Sequence, residues 1–269
     1  MSARSARALL EIARWENALI ASVGVLFGAW WVGWGAARPI AFAILAALPL
    51  TAAANVWNDV ADVEIDRRAH PERPLPSHRL DVRTARRFAS LAALASVVFA
   101  SAAAASLGAL TVLVLALMFA YSPWIKRAGL AGNITVAALA SLPFLYGAWA
   151  AGKPAQALLL VAIAAPLHLA REIAKDLEDA TADAATRRTL PVTAGSEAAA
   201  AVLVASLIIF FLLLLPFIVA RPLLGAALMP AAALIAYAVW CALRGRRGSP
   251  LAFKLAMLCA MGALVVVHP

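Results

Sequence analysis

Apolar stretches of bilayer-crossing length follow one another along this chain with only short polar breaks, and few folds are compatible with that pattern. A helix needs about 20 apolar residues to span hydrocarbon, and candidate segments lie near 16–36, 40–62, 86–106, 108–124, 130–150, 155–176, 199–219, 222–243 and 251–267. The breaks between them are too short for a separate soluble domain. At 64 % hydrophobic residues and a mean hydropathy of +0.88, the chain is far from the roughly 45–50 % apolar share of soluble domains. The expected architecture is all-α and multi-pass. Nine transmembrane helices surround a central cavity in a single domain over residues 1–269, with a polar cap on the cytoplasmic side.

Charge sets the expected orientation. Lys and Arg concentrate in cytoplasmic loops. With nine spans and a cytoplasmic N-terminus, all 23 basic residues except Arg38, Lys153 and Arg221 fall inside, as do all 14 Asp and Glu. The C-terminus of this cell-membrane protein is then outside. The formal charge of +9 is therefore topological, and without interleaved cations and aromatic residues it does not point to nucleic acid. The run from Leu19 to Trp34 is long, rich in Trp and lacks a small-residue cleavage site, so the basic N-terminus is not read as a signal peptide. Residues 3–14 read either as an amphipathic helix at the membrane surface, with Arg4, Arg7 and Arg14 toward headgroups, or as a frayed basic tail. Cys241 and Cys259 lie in apolar segments, where a small buried hydrophobe is the ordinary role.

Two polar rows interrupt this apolar background. Asn55, Asp59, Asp62 and Asp66 follow i, i+4, i+7, i+11, and Glu172, Asp176, Asp179 and Asp183 repeat that spacing at a constant offset of 117 residues. On a helix each set falls within roughly 60° of arc. Carboxylates crowded at a membrane edge repel one another unless cations sit between them, so a divalent-metal site is the natural reading. The constant offset suggests a pseudo-repeat of acid-bearing helices near 40–66 and 155–183. Arg73-Pro-Leu-Pro76 follows the first row as Arg188-Thr-Leu-Pro191 follows the second. The polar loops near 67–83 and 184–196 either cap the site or are plain connectors bearing topogenic arginines.

Asn133 lies inside an apolar segment, where an amide needs a polar partner. His168 lies on the face of the second row, as a proton acceptor or as a hydrogen-bonded wall of the cavity. Two acid rows, surrounding Lys and Arg, and an apolar interior suit a Mg²⁺-bound diphosphate beside an isoprenoid chain, because Mg²⁺ takes a few carboxylates and fills its coordination with phosphate oxygens and water.

The run Asn58-Asp-Val-Ala-Asp62-Val-Glu-Ile-Asp66-Arg67, then Pro71-Glu-Arg-Pro-Leu-Pro-Ser77, resembles the first signature of the UbiA superfamily of intramembrane prenyltransferases. Arg171-Glu-Ile-Ala-Lys175-Asp176-Leu-Glu-Asp179, continuing to Asp183 and Thr189-Leu-Pro191, resembles the second, and Asn17 in the first span fits as well. Tyr121-Ser-Pro-Trp-Ile-Lys126-Arg127, Asn133 and the form of the second motif are most similar to the branch of that family that makes ether lipids. His78, Ala182 and residues 185–187 stand where that branch usually has glycine. The resemblance implies transfer of a geranylgeranyl group from an isoprenyl diphosphate donor to a lipid-soluble acceptor, geranylgeranylglyceryl phosphate. It assigns one Mg²⁺ to Asn58, Asp62 and Asp66 and a second to Asp179 and Asp183. Asp59, Asp66, Asp176, Lys126 and Lys175 are then catalytic, and Asn17, Asn55, Arg67, Tyr121, Arg127, Asn133, His168, Arg171 and Glu172 bind substrate.

Two other readings stay open on sequence. An aromatic or chlorin acceptor fits the same donor chemistry, although no obvious base for ring deprotonation is present. A divalent-cation transporter also places paired acids in a repeat, but near the midplane rather than at one surface.

Overall fold

The computed structural model describes residues 3–124, 129–183 and 188–267. Among the described residues every regular element is helical. The elements are α1 (Ala3–Ala13), α2 (Trp15–Trp31), α3 (Ala37–Ala61), α4 (Val63–Ala69), α5 (Val82–Ala103), α6 (Ala105–Trp124), α7 (Leu130–Ala150), a 3₁₀ turn (Pro154–Ala157), α8 (Leu158–Asp183), α9 (Leu190–Ala194), α10 (Ser196–Ala220), α11 (Pro222–Ala227), α12 (Met229–Leu243) and α13 (Ser249–Val267). The chain divides into two compact units, residues 1–126 with 139–161, and residues 127–138 with 162–269.

The first unit is built from small residues. Val25, Ala29, Ile40, Ala43, Ala46, Ala47, Ala100 and Leu107 form its core with Tyr146 and Ala150. Gly24 and Gly28 of α2 form a small-xxx-small pair facing Pro143, Phe144 and Gly147 of α7. A Cβ at Gly28 would lie 2.7 Å from the Phe144 carbonyl carbon, and one at Gly147 would lie 2.7 Å from the Ala29 nitrogen. Backbones approach this closely only where side chains are missing, which is the usual device for helix association in lipid. α5 starts where the Asp81 carboxylate accepts the Thr84 N–H at 3.0 Å and stops where Ala104 turns extended.

α1 is helical, but its apolar face is not left to lipid. Ala8, Ile12 and Ala13 pack with Val56 and Val60 of α3, Leu75 and Leu80 of the following loop, and Ala85 and Ala89 of α5. Its spacing of apolar residues suits a protein core as well as a membrane surface, and the protein core is what covers it. Glu11 is held to Arg79 by two hydrogen bonds of 2.7 and 2.9 Å. The Arg79 hydrogen bond holds the Glu11 carboxyl below its ordinary value. His78, where the family resemblance leads one to expect glycine, has φ +56. Glycine relieves strain in that left-handed region.

The second unit has a core of larger side chains. Ile163, Leu167, Ile173 and Leu177 of α8 meet Leu203, Leu207, Phe210 and Leu214 of α10, Ile235 of α12 and Phe253 of α13. Gly195, at φ +89, breaks the chain between α9 and α10.

Among the described residues six helices are long and apolar enough to cross a membrane: α3, α5, α7, Pro154–Thr181, α10 and α13. This is a multi-pass membrane protein. The expected spans near 16–36, 108–124 and 222–243 fall on shorter apolar helices, namely α2 at 17 residues, Ala105–Phe119 of α6, and α12. The last is short because α11 and α12 divide the stretch at Leu228, two residues before Pro230.

Candidate active site

The first acidic row is not one uninterrupted stripe. α3 ends at Ala61, Asp62 sits at the joint with φ −91 and ψ 0, and Asp66 belongs to α4. The bonds Asp62 N–H to Asn58 O at 3.0 Å and Asp66 N–H to Asp62 O at 2.8 Å carry the helical register through the joint. The row therefore keeps one face, and that face is inward: Asp59, Asp62 and Asp66 are only 6 %, 4 % and 1 % exposed.

Buried carboxylates require compensation, and two arginines supply it. Arg14 Nη2 donates to Asp59 Oδ1 at 2.8 Å and Nη1 to Asn55 Oδ1 at 3.4 Å, while Asn55 Nδ2 donates back to Ala13 O at 3.0 Å. Arg14 adopts φ 49 and ψ 60 between α1 and α2. That left-handed conformation costs an L-residue about 1–2 kcal/mol, and here it aims the side chain at α3. The expectation that Arg14 faces headgroups is thus corrected: the carboxylate row attracts it inward. Arg73 Nη1 donates to Asp66 Oδ2 at 2.7 Å. Burial works against the Arg73 charge, yet Asp66 beside it, with Asp59 and Asp62, holds its pKa above the ordinary arginine value. Neither arginine stood among the expected site residues, because pairs bridging a helix joint and a loop leave no periodic signal.

In the second unit, Glu172, Asp176 and Asp179 of α8 are half-buried. Asn133 Nδ2 donates to Asp176 Oδ2 at 2.8 Å, so the intramembrane amide has a polar partner as its position demanded. Arg171 pairs with its neighbour Glu172. His168 and Lys175 are half-buried. Asp179 has no hydrogen-bond or ion-pair partner among the described residues. Arg67 is exposed and pairs with Glu64 at 2.9 Å, while Asn17 and Asn58 are half-buried and engaged. Lys126 and Arg127 lie outside the described residues, as do the side chains of Tyr121 and Asp183.

Among the described residues no three His, Cys, Asp or Glu side chains converge as a preformed metal cage. Mg²⁺ is held by one or two carboxylates with substrate phosphates and water rather than by an all-protein cage. The carboxylates of Asp62 and Asp66 in the first unit, like that of Asp179 in the second, are hard oxygen donors, as is the Asn58 side-chain carbonyl.

Residues 18–261 match the UbiA prenyltransferase family. The chain belongs to this family, and it is a prenyltransferase. The digeranylgeranylglyceryl phosphate synthase of Methanopyrus kandleri is 38 % identical over 197 residues, covering 72 % of each chain. That of Thermococcus gammatolerans is 34 % identical over 272 residues, covering 97 % of this chain and 98 % of the relative. Among solved structures, a UbiA homolog from Aeropyrum pernix superposes with a TM-score of 0.77 at 19 % identity, covering 98 % of this chain and 99 % of that one. A UbiA homolog from Archaeoglobus fulgidus, bound to GPP and Mg²⁺, superposes with a TM-score of 0.69 at 18 % identity, covering 97 % and 99 %. The fold of this UbiA chain is therefore that of the family.

Proposed function

We propose that this chain catalyses Mg²⁺-dependent transfer of a geranylgeranyl group from its diphosphate to the free hydroxyl of geranylgeranylglyceryl phosphate. The observation that carries the acceptor is the likeness to the synthases of that name, at 34–38 % identity over 72 % or more of the Methanopyrus and Thermococcus chains. Mg²⁺, when bound, neutralises the charge that builds on the leaving diphosphate.

Asn58, Asp62 and Asp66 hold one ion and Asp179 and Asp183 the other, with Asp59 and Asp176 supporting them. Lys126, Lys175, Arg67 and Arg127 bind the diphosphate or the acceptor phosphate. Asn17, Tyr121, His168, Arg171 and Glu172 line the substrates, and Asn55 and Asn133 steady the rows through their bonds to Ala13 and Asp176. The allylic C–O bond breaks with its electron pair leaving on the diphosphate. The resulting carbocation is trapped by the acceptor hydroxyl oxygen, whose proton is released.

The protein crosses the membrane nine times in this reading, with α2, α6 and α12 as its shorter crossings. The N-terminus and the acid-bearing helix ends face the cytoplasm and the C-terminus faces out. The basic-residue asymmetry supports this orientation. Of the three cations on the minority side, Lys153 Nζ donates to Val32 O at 2.9 Å at the end of α2, and Arg221 Nη1 to Val267 O at 3.5 Å at the end of α13. Cations at helix C-termini are held by local structure.

The test is incubation of purified protein with geranylgeranyl diphosphate, Mg²⁺ and a panel of acceptors, read by mass spectrometry. A digeranylgeranylglyceryl phosphate product is expected. A prenylated aromatic product, with no product from the glycerophosphate, overturns the acceptor.

A further inference from the structure

Glu178 stands within the second acidic motif but off the row. Being two residues beyond Asp176, it projects about 200° around α8 from that side chain. On that other face it meets the start of α13. Glu178 Oε1 accepts the Ser249 N–H at 2.6 Å and Oε2 accepts the Gly248 N–H at 3.4 Å.

Gly248 is the N-cap of α13, since its carbonyl accepts the Ala252 N–H at 3.1 Å. It has no side chain with which to cap its own helix, and its φ of +136 disfavours any residue that does. The cap comes instead from a carboxylate 71 positions away from Ser249 in the chain. A carboxylate at a helix N-terminus is favoured both by the unsatisfied N–H groups and by the helix dipole. The charge of Glu178 is thereby compensated without drawing on any cation near Asp176 and Asp179.

We propose that Glu178 is a positioning residue: by latching α8 to the N-terminus of α13 it fixes the rotation of the turn that carries Asp176 and Asp179. The angle between Glu178 and the row is set by the helix, so a bond that fixes one fixes the other. Ile173, Ala174 and Leu177 pack α8 into the core of this unit, but apolar contacts are non-directional, and the two hydrogen bonds of Glu178 add direction from the opposite side to the Asn133 bond at Asp176. This inference rests on the reading that Asp179 holds Mg²⁺.

The test uses the full-length protein in detergent with Mg²⁺ and inorganic diphosphate, following thermal stabilisation without turnover and, separately, diphosphate release from geranylgeranyl diphosphate. In Glu178→Ala the Mg²⁺ concentration for half-maximal stabilisation is expected to rise about 10-fold, the scale typical of residues that orient metal ligands. Glu178→Gln retains an oxygen for the Ser249 N–H and is expected to stay within about threefold of the parent. Gly248→Ala disturbs the receiving side of the same latch and is expected to raise the Mg²⁺ requirement as Glu178→Ala does, with the double variant no worse than either. Lower thermal stability of Glu178→Ala with an unchanged Mg²⁺ requirement overturns the proposal, and so does additivity with Gly248→Ala. If Glu178→Ala does not fold, Gly248→Ala alone decides by the same criterion. Unaltered Mg²⁺ dependence in Asp179→Ala refutes the underlying metal assignment instead, so the two failures are told apart.

Discussion

The two units carry the same spacing of acids yet hold it by different means. In the first unit, small residues bring backbones into contact and guanidinium groups from Arg14 and Arg73 neutralise buried carboxylates. In the second, a core of Leu, Ile and Phe packs side chain to side chain, and the acidic motif is met by one adjacent guanidinium, Arg171 at Glu172, and otherwise by neutral donors, the Asn133 amide and the backbone N–H groups of Gly248 and Ser249. A repeated pattern fixes which face the acids occupy. It does not fix how their charge is compensated, which depends on what each unit packs against that face.

The sharpest way to break this contrast is to fill a glycine in each unit. Gly147→Leu places a side chain on the backbone of α2 and is expected to abolish folded protein, since no rotamer escapes a main-chain clash. At Gly262 of α13 an added Cβ meets nothing within 4 Å, and Gly262→Leu is expected to leave expression and detergent melting unchanged. Equal loss in both removes the distinction.

Next in size, Arg73→Ala leaves Asp66 buried beside a missing cation and is expected to cost about 3 kcal/mol. Asn133→Ala removes a single hydrogen bond from the less buried Asp176 and is expected to cost about 1–2 kcal/mol. Denaturant or thermal unfolding of the two variants checks the order. The smallest effect belongs to the Glu11–Arg79 pair. A carboxyl whose folded pKa is lowered stabilises fully above its ordinary value of 4.5, and that contribution is lost as pH falls through the folded value. Melting temperatures from pH 6 to 3 are expected to fall slightly less steeply in Arg79→Ala, by a few tenths of a kcal/mol for so exposed a pair.

Much of this was legible in the sequence because it is periodic. Helix positions, the shared face of Asp59, Asp62 and Asp66, and the need of Asn133 for a partner all follow from spacing and hydropathy. What escaped is long-range or local irregularity. The left-handed turn at Arg14, the joint at Asp62 and the reach of Arg73 depend on backbone conformations that no period encodes. α1 was ambiguous because a face that suits a membrane surface equally suits Val56, Val60 and Leu80. Glu178 blended with its acidic neighbours, and only its direction separates it from them.

The central claim is that both acidic rows serve Mg²⁺-dependent departure of diphosphate. It is tested most directly by measuring Mg²⁺-dependent diphosphate release from geranylgeranyl diphosphate by Asp62→Ala and Asp179→Ala, each confirmed as folded protein in the membrane. A loss of at least about 10²-fold in each is predicted, and a wild-type rate in either contradicts the account.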